Sequence, residues 1–160
     1  MRLFVALDLP EAVRGALHDW ALSLEDPSLR LIAPESLHVT LLFLGESEPV
    51  ALPDPGVAPQ LSLAGPRRTP RFLAVSLADP SGRLAELQRA VFEAAGREPE
   101  ARPFWPHVTV ARTRERRRGR LPSPPALEFS GAALTLYRSH LGRGPASYEA
   151  VTSVPFSTLS

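Results

Sequence analysis

The chain has 160 residues, 44% of them hydrophobic and 22% charged, enough for one domain with a substantial core and too ordinary a composition for a fibre or a disordered tail. All 18 basic residues are Arg and there is no Cys, which excludes Schiff-base or adenylylated lysines, cysteine nucleophiles, thiolate metal sites and disulfide scaffolds. The net charge is only +1, but residues 1–66 carry three Arg against nine acids and residues 67–160 fifteen Arg against eight, so the second half is the one suited to face an anion.

The opening Met1–Asp8 segment lacks the apolar core and cleavage site of a signal peptide, and no apolar run nears the roughly 18 residues of a membrane span. A soluble cytoplasmic protein is expected. Leu3 to Asp8 reads as a buried strand, and Pro10-Glu11 suits the first turn of a helix. Val13, Leu17, Trp20, Ala21 and Leu24 then recur at helical spacing, giving an amphipathic helix over about 10–24. Leu29–Ala33 reads as a strand, Pro34-Glu35-Ser36 as a turn, and Leu37–Gly45 as a second apolar segment. Pro49, Pro53, Pro55 and Pro59 mark a loop between halves.

The second half opens with a strand over Phe72–Ala78. Asp79-Pro80-Ser81 introduces a helix carrying Leu84, Leu87 and Val91 that stops near Gly96. A strand over His107–Ala111 follows, then the Arg112–Arg120 segment and a strand region from Leu127 to Tyr137. The order strand, helix, loop, strand therefore occurs twice. Val5 to His38 spans 33 residues and Val75 to His107 spans 32, while Pro10 to Pro80 is 70 and His38 to His107 is 69. One domain over 1–160 is expected, with an internal repeat of approximately 1–48 plus C-terminal strands, and 71–118. Its copies should pack together about a pseudo-twofold axis.

The repeated strands share His38-Val39-Thr40-Leu41 and His107-Val108-Thr109-Val110. With 4 His and 7 Thr in the chain, chance gives about 0.2 occurrences of His-x-Thr. Two copies at matching places are not accidental. Alternation along a strand puts His and Thr on one face and the intervening aliphatics in the core. Two imidazoles facing each other can serve as acid and base near neutral pH, and two Thr hydroxyls can donate to anionic oxygens between them. The pattern lacks the carboxylates or third His a metal site needs, so neither metal nor cofactor is expected. The substrate this suits is a phosphodiester.

The segments Arg2–Pro10, Pro34–Glu46, Arg102–Arg112 and Leu136–Ser139, taken in order, resemble the RNA 2′,3′-cyclic phosphodiesterases, also called 2′–5′ RNA ligases, of the two-histidine phosphoesterase superfamily. The resemblance covers nearly the whole chain. It implies an α+β bilobal fold, two pseudo-symmetric β/α lobes with antiparallel sheets lining a central cleft, and metal-independent hydrolysis of RNA-terminal 2′,3′-cyclic phosphate to a 2′-phosphate. A 2′–5′ joining reaction would be a side activity. Relatives often place a Trp before the Pro-Glu turn, where this chain has Leu29–Ala33. The resemblance also implies base stacking for Phe43 and phosphate contact for Arg112, each five residues after its His. Strict alternation would turn both away from the His face, so a bulge or a strand end is required. With Phe43 following His38 and Arg112 following His107, His38 is expected as proton donor and His107 as general base.

Arg114, Arg116, Arg117, Arg118 and Arg120 read either as a funnel for RNA backbone or as a solvated loop. His18 is expected to face solvent, His140 to lie in a Gly- and Pro-containing stretch, and Trp105 to pack in the core, with cleft lining as the alternative. A monomer acting on RNA ends, away from membranes, is the leading expectation. A phosphoesterase for small cyclic nucleotides or ADP-ribose phosphates and a non-catalytic RNA-end binder stay open.

Overall fold

The computed structural model describes residues 1–115, 119–142, 144–145 and 147–158. In chain order the elements are β1 (Arg2–Asp8), α1 (Glu11–Ser23), β2 (Arg30–Leu31), a 3-10 turn over Pro34–Ser36, β3 (His38–Glu46), β4 (Gln60–Arg68), β5 (Phe72–Ala78), α2 (Arg83–Ala94), β6 (His107–Arg112), β7 (Glu128–Ser130), β8 (Ala133–His140) and β9 (Ser147–Pro155). They form two sheets, ordered β3-β1-β8-β9 and β2-β6-β5-β4-β7, with every strand pair antiparallel. This is the α+β, two-sheet arrangement expected.

The run Leu3–Leu7 is buried along its whole length because both faces of β1 are covered: Leu3, Val5 and Leu7 join the core, and on the other face the rings of His38, Tyr137 and Tyr148 pack on Phe4. In α1, Val13, Leu17, Trp20 and Ala21 form the buried stripe, and in α2 Leu84, Leu87, Val91 and Phe92 do so. The Asp79 carboxylate accepts from the Leu84 and Ala85 amides, at 3.1 and 3.0 Å, and so satisfies the first turn of α2. Each helix touches the His-bearing strand of the other half: α1 contacts β6, and α2 contacts β3. The two halves thus hold each other's motif strands in place.

Three expectations change. Residues 60–68, beside the proline-rich loop, form a strand that the sequence pattern does not announce, β4, with Leu61 and Leu63 buried on alternate positions. Pro66 lies beyond the part of β4 that pairs with β7, on an edge where its missing amide costs nothing. The expected strand region Leu127–Tyr137 divides into β7 and β8, which belong to different sheets. Gly131 makes that crossing, where an added Cβ would lie 2.6 Å from Leu7 Cδ1. Strand β9 is likewise additional to the expected elements, because as an exposed edge it has no alternating apolar pattern to read.

The strand registers fix the internal correspondence. Leu7 pairs with Val39 and Val75 with Val108, so Leu7, and not Val5, matches Val75. By the same register Phe4 matches Phe72 and Asp8 matches Ser76. Ala6 pairs with Thr40 but Val5 with Leu42, leaving Leu41 as an extra residue. Ala74 pairs with Thr109 but Leu73 with Ala111, leaving Val110 as an extra residue. Both strands therefore carry a bulge three residues after the His, and Leu41-Leu42 and Val110-Ala111 are both buried doublets. The bulge restores the residue five places after each His to the His face.

Candidate active site

His38, Thr40 and Phe43 from β3 and His107, Thr109 and Arg112 from β6 line a single cavity of about 410 Å³. All six candidate residues of the sequence are thereby brought together, the last of each trio by its bulge. Ile32, from the segment after β2, lines the same cavity. Phe43 is 74% exposed at the rim and presents an outward aromatic face.

The two imidazoles have the same anchor. His38 Nδ1 lies 2.8 Å from the Ser36 carbonyl and His107 Nδ1 lies 2.7 Å from the Trp105 carbonyl, in each case two residues upstream. A carbonyl only accepts, so Nδ1 carries the proton and the neutral ring keeps its lone pair on Nε2. The Thr40 hydroxyl is 3.0 Å from His38 Nε2. Burial pushes both imidazoles below their ordinary value of 6.5. For His38 the Ser36 hydrogen bond and the Asp8 carboxylate oppose that effect, while His107 and Arg112 add to it. For His107 the Trp105 hydrogen bond opposes it and Arg67 adds to it.

The second layers differ in charge. Opposite His38 in the sheet stands Asp8, its carboxylate accepting from the Thr135 hydroxyl at 2.6 Å and from the Tyr137 hydroxyl. Burial and that bond to Asp8 push the Tyr137 phenol well above its ordinary value, so it remains a donor. Phe4 and Tyr148 pack on His38 with ring centroids at 5.0 and 5.4 Å. Opposite His107 stands Ser76, which accepts from the Trp105 indole N–H at 3.0 Å. Trp105 stacks on His107 with centroids 3.8 Å apart, and the Arg67 guanidinium lies 4.5 Å from the Trp105 centroid. Behind His38 thus lies a carboxylate, with Arg112 also acting on that ring, and behind His107 a cation.

Trp105 is therefore a wall of the site, half-buried against His107, and not core packing. His18 is half-buried and its Nδ1 lies 3.2 Å from the Ile32 carbonyl, so it joins α1 to the segment after β2 instead of facing solvent. His140 ends β8 and pairs with Glu149 at 3.0 Å, outside the cavity. Arg114 and Arg120 are exposed, and Arg116, Arg117 and Arg118 lie outside the described residues. Sequence reasoning missed Phe4, Asp8, Arg67, Phe72, Tyr137 and Tyr148. Phe4, Asp8 and Tyr137 lie in the segments Arg2–Pro10 and Leu136–Ser139 that carry the family resemblance, which is the signal that marks them; nothing local marks Arg67, Phe72 or Tyr148. Among the described residues no three His, Asp or Glu side chains converge as a metal centre would need, and no helix is long and apolar enough to cross a membrane.

Solved structures with this arrangement include Escherichia coli LigT complexed with NADP+, with a TM-score of 0.84 at 27% identity over 98% of both chains. The protein TT0787 of Thermus thermophilus matches with a TM-score of 0.74 at 30% identity over 97% of both. The fold is that of the LigT-like two-histidine phosphoesterases. No protein-family model matches the sequence. The chain is 31% identical to the RNA 2′,3′-cyclic phosphodiesterase of Escherichia coli strain K12, over 92% of each chain. It is 35% identical to that of Thermus thermophilus, over 91% of this chain and 85% of the relative. The chain belongs to the RNA 2′,3′-cyclic phosphodiesterase family.

Proposed function

We propose that this protein hydrolyses 2′,3′-cyclic phosphate ends of RNA to 2′-phosphates in the cytoplasm, with His38 as proton donor and His107 as general base. The observation that carries the reading is the pair of identically anchored imidazoles on one cavity, each with its Nδ1 proton held by a carbonyl. In the reaction, His107 Nε2 takes a proton from water as its oxygen attacks phosphorus. The bond from phosphorus to the 3′ oxygen breaks, and that oxygen takes a proton from His38 Nε2. The product carries a 2′-phosphate and a 3′-hydroxyl, and proton exchange with solvent resets both imidazoles. Thr40, Thr109 and the fixed charge of Arg112 hold the non-bridging oxygens. Phe43 offers its exposed face to the terminal base.

The assignment of roles is supported by the charge difference behind the two rings. Asp8 favours a protonated His38, against the opposing effect of Arg112 and His107, while the charged neighbour of His107, Arg67, disfavours its protonation. Binding an anionic phosphodiester between the rings raises both affinities for protons and so loads the donor. A 5′-hydroxyl attacking in place of water would give a 2′–5′ bond by the same proton transfers.

Incubation with an oligonucleotide ending in a 2′,3′-cyclic phosphate, in the presence of EDTA, tests the proposal. Turnover to a 2′-phosphate is expected. Binding without turnover would leave an RNA-end binder, and preference for cyclic mononucleotides or ADP-ribose cyclic phosphate would move the substrate to a small molecule. A 3′-phosphate product would reverse the orientation of the substrate.

A further inference from the structure

A second, larger groove of about 980 Å³ opens from the catalytic cavity on the His107 side. It shares Thr40, Phe43, His107, Thr109 and Arg112 with the cavity. Beyond them it runs between the exposed face of α2, through Gln88 and Arg89, and the 99–106 segment leading into β6, with Arg67 along its wall. Among the described residues its charged lining is Arg67, Arg89, Arg102 and Arg112 against one acid, Glu100. Glu100 lies 3.4 Å from Arg102, but the side chains are 55% and 87% exposed, and such a pair is weakly held and readily exchanged for a phosphate. Among the described residues the catalytic cavity by contrast has Arg2 and Arg112 as its cations.

We infer that this groove binds the phosphodiester backbone of the single strand leading to the reacting end, with Arg89 and Arg102 as its phosphate contacts. The inference rests on the RNA-end reading above. Three features favour an RNA strand over another occupant. The excess positive charge lies along a path, not at one point. The path is continuous with the histidines at Arg112, so a strand lying in it delivers its end to them. Finally, Phe43 stands where the two spaces meet, in position to stack the terminal base while the backbone passes along the arginines. Arg67 has a different task, because it is engaged with Trp105 behind His107.

The test is a steady-state comparison of a cyclic-phosphate oligonucleotide and a cyclic mononucleotide at several salt concentrations. With Arg89→Ala and Arg102→Ala combined, kcat/KM for the oligonucleotide should fall about tenfold at low salt, and its dependence on log salt should flatten by about 1.4, the single-strand value for two lost phosphate contacts. The mononucleotide should react as before, and Gln88→Arg should steepen the oligonucleotide's salt dependence. An unchanged salt slope, or equal loss for both substrates, would overturn the inference. So would variants that leave the cyclic-ended strand unaffected and weaken only inhibition by a 5′-hydroxyl oligonucleotide, since the groove would then hold a second strand. If the wild-type protein turned over neither substrate, the proposed function itself would fail, a result distinct from these.

Discussion

Asp8 and Ser76 occupy the same place in the two halves, each facing the histidine of a His-x-Thr strand across its sheet. Pseudo-symmetry makes His38 and His107 alike in anchoring, and this exchange, together with Arg67 beside His107 and Arg112 acting on His38, makes them unlike in charge. Asp8→Asn should lower the affinity of His38 for its proton. The alkaline limb of kcat/KM then moves to lower pH and turnover at pH 7 drops several-fold, while the acid limb stays. Ser76→Asp should instead raise the proton affinity of His107 and move the acid limb to higher pH. Profiles in which Asp8→Asn moves the acid limb would exchange the roles of the two histidines.

The wild-type pH dependence follows from both imidazoles lying below 6.5 in the free protein. The productive form has one ring protonated and one neutral. It is lost at low pH when both are protonated and at high pH when both are neutral, so kcat/KM should be bell-shaped with its maximum below pH 6.5. The kcat maximum should lie at higher pH, because the bound phosphodiester favours the protonated rings. Subsaturating and saturating rate series with a cyclic mononucleotide check this, and coincident maxima would contradict it.

The same depression affects folding. The unfolded chain takes up protons near 6.5 while the folded rings resist them. Their contribution to stability is complete above pH 6.5 and is lost as pH falls through the folded-state values. Denaturant midpoints measured from pH 7 downward should therefore decline, and a His38→Gln, His107→Gln double variant should decline less steeply.

Replacing either histidine by Ala should lower turnover by at least about 10²-fold without unfolding the protein, because acid–base groups contribute 10²–10⁴. A 3′-thio leaving group scarcely needs protonation and should rescue His38→Ala far more than His107→Ala. Thr40→Ala and Thr109→Ala each remove one neutral donor and should cost less than either histidine.

Phe43→Ala tests the bulge. Phe43 is 74% exposed whereas Val39, four residues earlier on the same strand, is fully buried. Loss of the Phe43 ring should leave the unfolding midpoint unchanged and raise KM roughly tenfold, within the range for a base stacked on an aromatic ring. Val39→Ala should cost about 2 kcal/mol of stability. A destabilised Phe43→Ala would return that side chain to the core.

The repeat, the two His-x-Thr strands and the aliphatic faces behind them are legible in the sequence, because alternation along a strand is a local property of the chain. So is the need for a bulge or a strand end to bring Phe43 and Arg112 to the His face, though not which of the two. The pairing of β1 with β3 and of β5 with β6 places the extra residues at Leu41 and Val110. That pairing also brings Asp8 and Ser76 opposite the histidines, and neither partner is near its His in sequence. Arg67 on Trp105 and Tyr148 on His38 are beyond the reach of local pattern for the same reason. They come from β4 and β9, one interrupted by Gly65-Pro66 and the other an exposed edge, so neither carries the periodicity that announces a strand. Asp8 and Arg67 are the charges that lie behind the two histidines, and which charged neighbour reaches each ring is set by the packing of strands remote in sequence.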